Sequence, residues 1–282
     1  MISDVTSNVA HLPARSVRYL ESPGRRDEMA PRTRTLLLIH AFPLSADQWL
    51  PQLARVPPGW HFVAPDIRGF RGMGPAFEDA GLDGATVDDY ADDMMSLMDH
   101  LDIPRAAVAG LSMGGYVAMA MAARRPARVS HLVLADTRMT ADTDEGRAAR
   151  DAMTAIVARD GPAAVADAML PKLLGASTER DQPDLAIAVR RLIEVNRVEA
   201  IAGGIGALKS RPDRTAALAS VTMPALVICG DEDRLTPPAD SQAMAATIPG
   251  AALEIVPSSG HLSNLEQPVV FNSILHRSLV RA

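Results

Sequence analysis

Gly110-Leu111-Ser112-Met113-Gly114 sets a serine between two glycines, directly after the apolar run Ala106–Gly110. An Ala- and Met-rich helical stretch, Gly115–Arg125, follows at once. A strand that reverses this sharply into a helix strains the serine backbone, crowds its neighbours down to glycine, and lifts the hydroxyl above the strand ends. It also brings the Met113 N–H to a helix N-terminus, where negative charge is favoured. Such a serine suits acyl chemistry, but its hydroxyl is a weak nucleophile at neutral pH and needs a base. Seven histidines are available. His261 lies in Ser258-Ser259-Gly260-His261, just after the strand-like Leu253–Val256, and so on the same sheet edge as Ser112. His276 falls inside a helical pattern, His100 near a helix end, His131 within a strand, His11 near the N-terminus, and His61 at the opposite edge. His40 reads as a structural hydrogen-bonder. His261 is therefore the candidate base.

An imidazole base needs a carboxylate to set its tautomer and stabilise its cation. Gly230-Asp231-Glu232-Asp233 follows the apolar run Pro224–Cys229 at the same edge. Asp233 is the first choice, because it lies far enough past the strand to reach across the sheet end. Asp231, which could instead bond the turn backbone, and Asp136, at the end of an earlier strand, remain alternatives. Negative charge developing on a substrate carbonyl needs N–H donors, each worth roughly 3–4 kcal/mol of barrier. His40-Ala41-Phe42-Pro43 follows the run Thr35–Ile39. Pro43 has no N–H, and the residue before a proline is extended. Phe42 and Met113 are thus the expected backbone donors of an oxyanion hole, and both would also touch substrate. Activity should fall on the acid side as His261 takes up a proton.

The elements that must position these residues alternate short apolar runs with helical periodicity, the pattern of a parallel sheet covered by helices. Strands are expected at Thr35–Ile39, His61–Ala64, Ala106–Gly110, Val129–Ala135, Pro224–Cys229 and Leu253–Val256. Thr86 reads as a helix N-cap, with Asp88 and Asp89 in the first turn. Val87, Tyr90, Met94, Leu97 and Leu101 then mark one apolar face, and Pro104 ends the pattern. From Met139 to Arg211 no β-branched run appears, and the spacing is helical throughout. The expected organisation is a tail at 1–16, a core at 17–138 and 212–282, and a helical cap at 139–211. Within the cap Val165, Met169, Leu170, Leu173, Leu174, Ile201 and Ile205 are apolar. Most should pack on the core, and the rest should line an apolar acyl pocket. Met169 and Leu170 are the candidate substrate contacts.

Composition narrows the function classes. The chain has 282 residues, 48% hydrophobic and 22% charged, enough for one large domain with an inserted lobe. The single cysteine, Cys229, cannot form an intrachain disulfide, and no zinc site of several thiolates can be built. It reads as a buried small hydrophobe. Thirty-four acidic against 28 basic side chains, net −6, disfavour a nucleic-acid partner. No apolar run reaches the ~18 residues of a membrane span, and none near the N-terminus has the length of a signal-peptide core. A cytoplasmic protein with a small-molecule substrate, no membrane partner, no metal and no cofactor is expected. Assembly into a homo-oligomer is left open.

Taken together, His40-Ala41-Phe42-Pro43, Pro65-Asp66-Ile67-Arg68-Gly69-Phe70, Gly110-Leu111-Ser112-Met113-Gly114-Gly115, Gly230-Asp231-Glu232-Asp233-Arg234 and Gly260-His261 make the chain resemble the α/β-hydrolase superfamily from about residue 17 to 280. Within it the sequence looks most like small carboxylesterases and 3-oxoadipate enol-lactonase-type hydrolases. The resemblance implies a mostly parallel eight-stranded sheet flanked by helices, with a helical cap inserted after strand 6. It also implies Ser112, Asp233 and His261 as a triad, with Phe42 and Met113 as the oxyanion hole. Two positions depart from the family: Ala41, where glycine is usual, and the altered loop Gly69-Phe70-Arg71-Gly72-Met73-Gly74. Serine at position 112 sets the chain apart from haloalkane dehalogenases and epoxide hydrolases, which carry aspartate there. The expected activity is cleavage of carboxylic esters with short to medium, mainly uncharged acyl groups. Enol-lactone hydrolysis and cofactor-free perhydrolysis are alternatives on the same residues. A silent ligand-binding protein on the same fold is the alternative of a different class.

Overall fold

In the computed structural model, residues 5–13, 15–22, 34–71 and 82–280 are described. The segment following Arg71, with its altered glycine spacing, lies outside the described residues. Eight strands form one sheet: β1 Thr6–His11, β2 Ser16–Glu21, β3 Arg34–Ile39, β4 Trp60–Pro65, β5 Ala106–Leu111, β6 Val129–Ala135, β7 Ala225–Gly230 and β8 Ala252–Val256. Their order is β1-β2-β4-β3-β5-β6-β7-β8. The pairs β1–β2 and β2–β4 are antiparallel and the rest parallel. Every residue of β4, β5 and β7 is buried. Parallel strands covered by helices on both faces require such unbroken apolar runs, which is why these strands stand out in the sequence.

The N-terminal expectation needs correction. Thr6–His11, read as part of a tail, is an edge strand whose six residues pair one by one with Ser16–Glu21. Its burial follows no apolar run, and Ala10 is its one fully buried residue. The partner strand makes it a strand, and its own side chains carry little signal of that.

Thr86 caps the helix Val87–His100. Its hydroxyl accepts the Asp89 N–H at 3.2 Å while Asp89 Oδ2 accepts the Thr86 N–H at 2.8 Å. These bonds from Thr86 hold the Asp89 carboxyl below its ordinary range. The helix ends at His100, before Pro104. Between β6 and β7 the chain runs through the helices Asp144–Leu173, Ala176–Asp181, Pro183–Glu194 and Val198–Ser210. The first of these is broken at Gly161, where φ is 76° and Pro162 opens the second half.

The sheet order places the site. β3 pairs with β4 on one side and with β5 on the other, so the chain switches direction across the sheet at β3. Loops leaving the C-terminal ends of two such neighbours part company and open a crevice, the usual ligand position of an open α/β sheet. Here those loops carry Phe42 and Ser112.

Candidate active site

Ser112 sits between β5 and the helix Met113–Arg124 with φ 53° and ψ −112°. A non-glycine residue held there stores on the order of 1–3 kcal/mol of strain, and the surroundings enforce it. The Ser112 N–H donates to Ala135 O at 3.0 Å, while its carbonyl accepts from Gly115 N, Tyr116 N and the Thr137 hydroxyl. The flanking glycines are obligatory. A Cβ on Gly110 would lie 2.0 Å from Gly114 O, and one on Gly114 would lie 2.0 Å from Ile39 O.

His261 and Asp233 are buried, at 2% and 4% exposure, and meet at 2.8 Å between Nδ1 and Oδ2. A carboxylate oxygen only accepts, so in the neutral imidazole Nδ1 carries the proton and Nε2 the lone pair. The same carboxylate also accepts from the N–H groups of Leu235 and Thr236 and from the Thr236 hydroxyl at 2.6 Å. Burial alone would raise the pKa of Asp233. His261 and the Thr236 bonds outweigh it and hold the carboxyl below its ordinary value. Asp136 goes the other way. It is fully buried, bonded by Gly230 N at 2.8 Å and by the Ser263 hydroxyl. Burial, with the nearby charge of Asp233, raises it well above the usual carboxylate range. The two environments therefore concentrate the negative charge on Asp233. Asp231 is exposed and accepts the Ser259 N–H at 3.3 Å.

Ser112, His261 and Phe42 line one cavity of about 90 Å³, together with Thr236 and Tyr116. Around Phe42 the neighbouring amides are engaged: Ala41 N–H donates to Gln48 Oε1 at 2.9 Å and Leu44 N–H to Ala41 O at 2.9 Å. The Met113 N–H lies in the first turn of its helix, where backbone donors have no intrahelical acceptor. His40 is a brace. Its Nε2 accepts the Ile67 N–H at 2.9 Å, and its Nδ1 donates to Ala41 O at 2.8 Å. Complete burial lowers its pKa to about 4, so it stays neutral.

The far wall comes from the loop after β6, the helices that follow it and the loop after β7. Met169, Leu208 and Leu235 are its apolar members; Arg138, Asp142, Arg150 and Arg211 are charged. Leu170, expected beside Met169, does not line the cavity and packs half-buried against the core. Successive helical residues point about 100° apart, so one of the pair faces the site and the other does not. Val165, Leu173, Leu174, Ile201 and Ile205 are core residues. Cys229 is buried too, and burial pushes its thiol up to about 12, out of reach as a nucleophile.

Sequence reasoning missed several residues that hold the site. Gln48 anchors the Phe42 loop, and Asn196 donates to Pro43 O at 2.8 Å from the helical insertion. Glu266 accepts N–H groups on both sides of His261, from Gly260 at 2.9 Å and Leu262 at 3.1 Å. Asn196 reaches a carbonyl 153 residues away, while Gln48 and Glu266 reach amides four to seven residues away across irregular loops, where no repeating pattern marks them.

A family model described as alpha/beta hydrolase fold matches residues 34–268. The chain belongs to this family. Among curated relatives, 3-oxoadipate enol-lactonase 2 of Acinetobacter baylyi is 29% identical over 195 residues, 69% of this chain and 71% of its own. Among solved structures, a thermophilic esterase from Thermogutta terrifontis with malate bound is 30% identical and superposes with a TM-score of 0.88 over 98% of both chains. The enol-lactonase from Burkholderia xenovorans LB400 is 26% identical, with a TM-score of 0.86 over 97% of this chain and 100% of its own. This is a hydrolase family with esterase and lactonase members, and the eight-stranded, mostly parallel sheet is the expected one. Among the described residues no helix is long and apolar enough to cross a membrane, and no group of three metal-ligating side chains is found.

Proposed function

We propose that this hydrolase cleaves carboxylic esters or lactones through an acyl-enzyme on Ser112. His261 Nε2 takes the hydroxyl proton as Ser112 Oγ bonds to the substrate carbonyl carbon. The resulting oxyanion lies between the N–H groups of Phe42 and Met113. As the intermediate collapses, His261 gives its proton to the departing alcohol oxygen. Water then repeats the sequence and frees the acid. Asp233 keeps Nδ1 protonated and stabilises the imidazolium throughout. The helices of residues 139–211 act as a cap that sets acyl size, and Met169, Leu208 and Leu235 offer a short to medium chain an apolar wall.

One observation carries this reading. His261 is tied to Asp233 through Nδ1, so a bare Nε2 belongs to the cavity that Ser112 also lines. A fluorophosphonate should label Ser112 stoichiometrically, and nitrophenyl esters of rising chain length should be hydrolysed. Ser112→Ala should abolish both. A folded Ser112→Ala protein that keeps its esterase activity overturns the assignment, and a folded wild type that resists labelling favours a silent binding protein instead. Enol-lactone hydrolysis is the second reading. It is favoured by the arginines of the wall and by the likeness to proteins named enol-lactonase.

A further inference from the structure

We infer that the cavity binds a carboxylate of its substrate, held by Arg211 with Arg138 and Arg150 beside it. This rests on the acyl-enzyme reading and narrows its substrate to carboxylate-bearing esters or lactones. The wall of the cavity holds three guanidinium groups and one carboxylate besides the Asp233–His261 pair. Asp142 is shared: its Oδ2 accepts Arg150 Nε at 3.1 Å and its Oδ1 lies 2.8 Å from Arg211 Nη2. Arg138 meets Asp240 at 3.5 Å. Asp142 and Asp240 thus answer the three guanidinium groups, and the other carboxylate nearby, Asp233, is already taken up by His261 and Thr236.

Arg211 is the least expected of the three. Its side chain is 2% exposed, and a buried cation is costly unless fully paired. Its Nη1 donates to Leu208 O at 2.9 Å and its Nη2 to Thr140 O at 3.2 Å. Its Nε has no hydrogen-bond partner among the described residues. With the Asp142 contact, three of five N–H donors are used and two are left over. The guanidinium lies 4.3 Å from the centre of the Tyr116 ring. Tyr116 and Ser112 line the same cavity. The unspent N–H donors therefore belong to a residue that lines the same cavity as the reacting serine. A guanidinium matches a planar carboxylate through paired N–H donors. The unspent donors of Arg211 point to an anionic substituent, against the uncharged acyl group expected from the sequence.

The test pairs monoethyl succinate, glutarate and adipate with ethyl butanoate, pentanoate and hexanoate, followed by pH-stat. The best hemiester should exceed its uncharged partner in kcat/KM by about tenfold or more, the worth of one charge-assisted hydrogen bond. The gap should lie mainly in KM and shrink with added salt. Arg138→Gln, at a partly exposed side chain, should narrow it severalfold. Arg211→Lys should narrow it further where the variant folds. Glutarate should also raise the melting temperature and slow fluorophosphonate labelling, and glutaramide should not. Uncharged esters cleaved as well as hemiesters by a protein whose Ser112 still labels would overturn the carboxylate subsite alone. Failure of glutarate to bind would overturn it even in a protein with no measurable turnover. Inorganic phosphate protecting as well as glutarate would replace it with a general anion hole.

Discussion

Replacing Glu266 by glutamine tests how the loop that carries His261 is held. Glu266 is 1% exposed. Its Oε2 accepts from Gly175 N at 2.8 Å, from the Thr178 hydroxyl at 2.6 Å and from Gly260 N at 2.9 Å, and its Oε1 accepts from Leu262 N at 3.1 Å. One carboxylate thus ties both neighbours of His261 to the helical insertion, and the His261 N–H adds a bond to Leu173 O at 3.1 Å. Glutamine is the same size but has one acceptor oxygen. If that oxygen serves the three donors at Oε2, the amide NH₂ faces the Leu262 N–H, donor against donor. The three remaining bonds also lose their charge assistance. With charge-assisted bonds worth roughly 1.5–3 kcal/mol and a stranded buried donor roughly 1–3, the loss should be about 3–5 kcal/mol. Thr178→Val removes a single bond and should cost about 1 kcal/mol. Urea unfolding at pH 7, followed by Trp49 and Trp60 fluorescence, measures both. Turnover per fluorophosphonate-titrated site reports on the loop, and Glu266→Gln should lower it even where most of the protein is folded. A Glu266→Gln protein within about 1 kcal/mol of wild type, with unchanged turnover, would refute the idea that this carboxylate organises the loop.

Three further outcomes follow from the same geometry. Asp233→Asn should lower kcat by about 10³–10⁴-fold with a smaller change in KM, because an amide can hold the wrong imidazole tautomer; steady-state kinetics on one ester decide it. Gly114→Ala drives a Cβ to 2.0 Å from Ile39 O, so it should cost at least about 1–3 kcal/mol in thermal or urea unfolding and strongly reduce labelling of Ser112. His40, lowered from 6.5 to about 4 by burial, binds no proton in the fold where the unfolded chain does. Its contribution is complete above pH 6.5 and lost as pH falls toward 4, amounting to roughly 2 kcal/mol between pH 7 and pH 5. Asp66, raised to about 6 by burial, favours the fold at the lower pH and opposes it. The measurement is therefore the difference in pH dependence between wild type and His40→Gln; parallel curves would show that His40 does not stay neutral.

The chemistry of this protein is written locally. A serine between glycines after an apolar strand, an acidic turn after another and Gly260-His261 after a third are each signals within a few residues, because sharp reversals and buried parallel strands constrain their own sequence. The helical stretch after β6 is legible for the same reason. Which residues face the cavity is a different kind of fact. Met169 and Leu170 have near-identical sequence credentials, and helix rotation against the core separates them. β1 is a strand through its partner. Glu266 and Asn196 act across the chain, on Gly175 and on Pro43. Asp233 rather than Asp136 meets His261, 2.8 Å from Nδ1, while Asp136 is spent on Gly230 N and the Ser263 hydroxyl. The arginine cluster at the cavity appears only when Arg211, from the far end of the helical insertion, meets Arg138 and Arg150. Local steric rules act between neighbours and can be read in order. Burial and electrostatics act through space, and only the folded arrangement shows which groups they bring together.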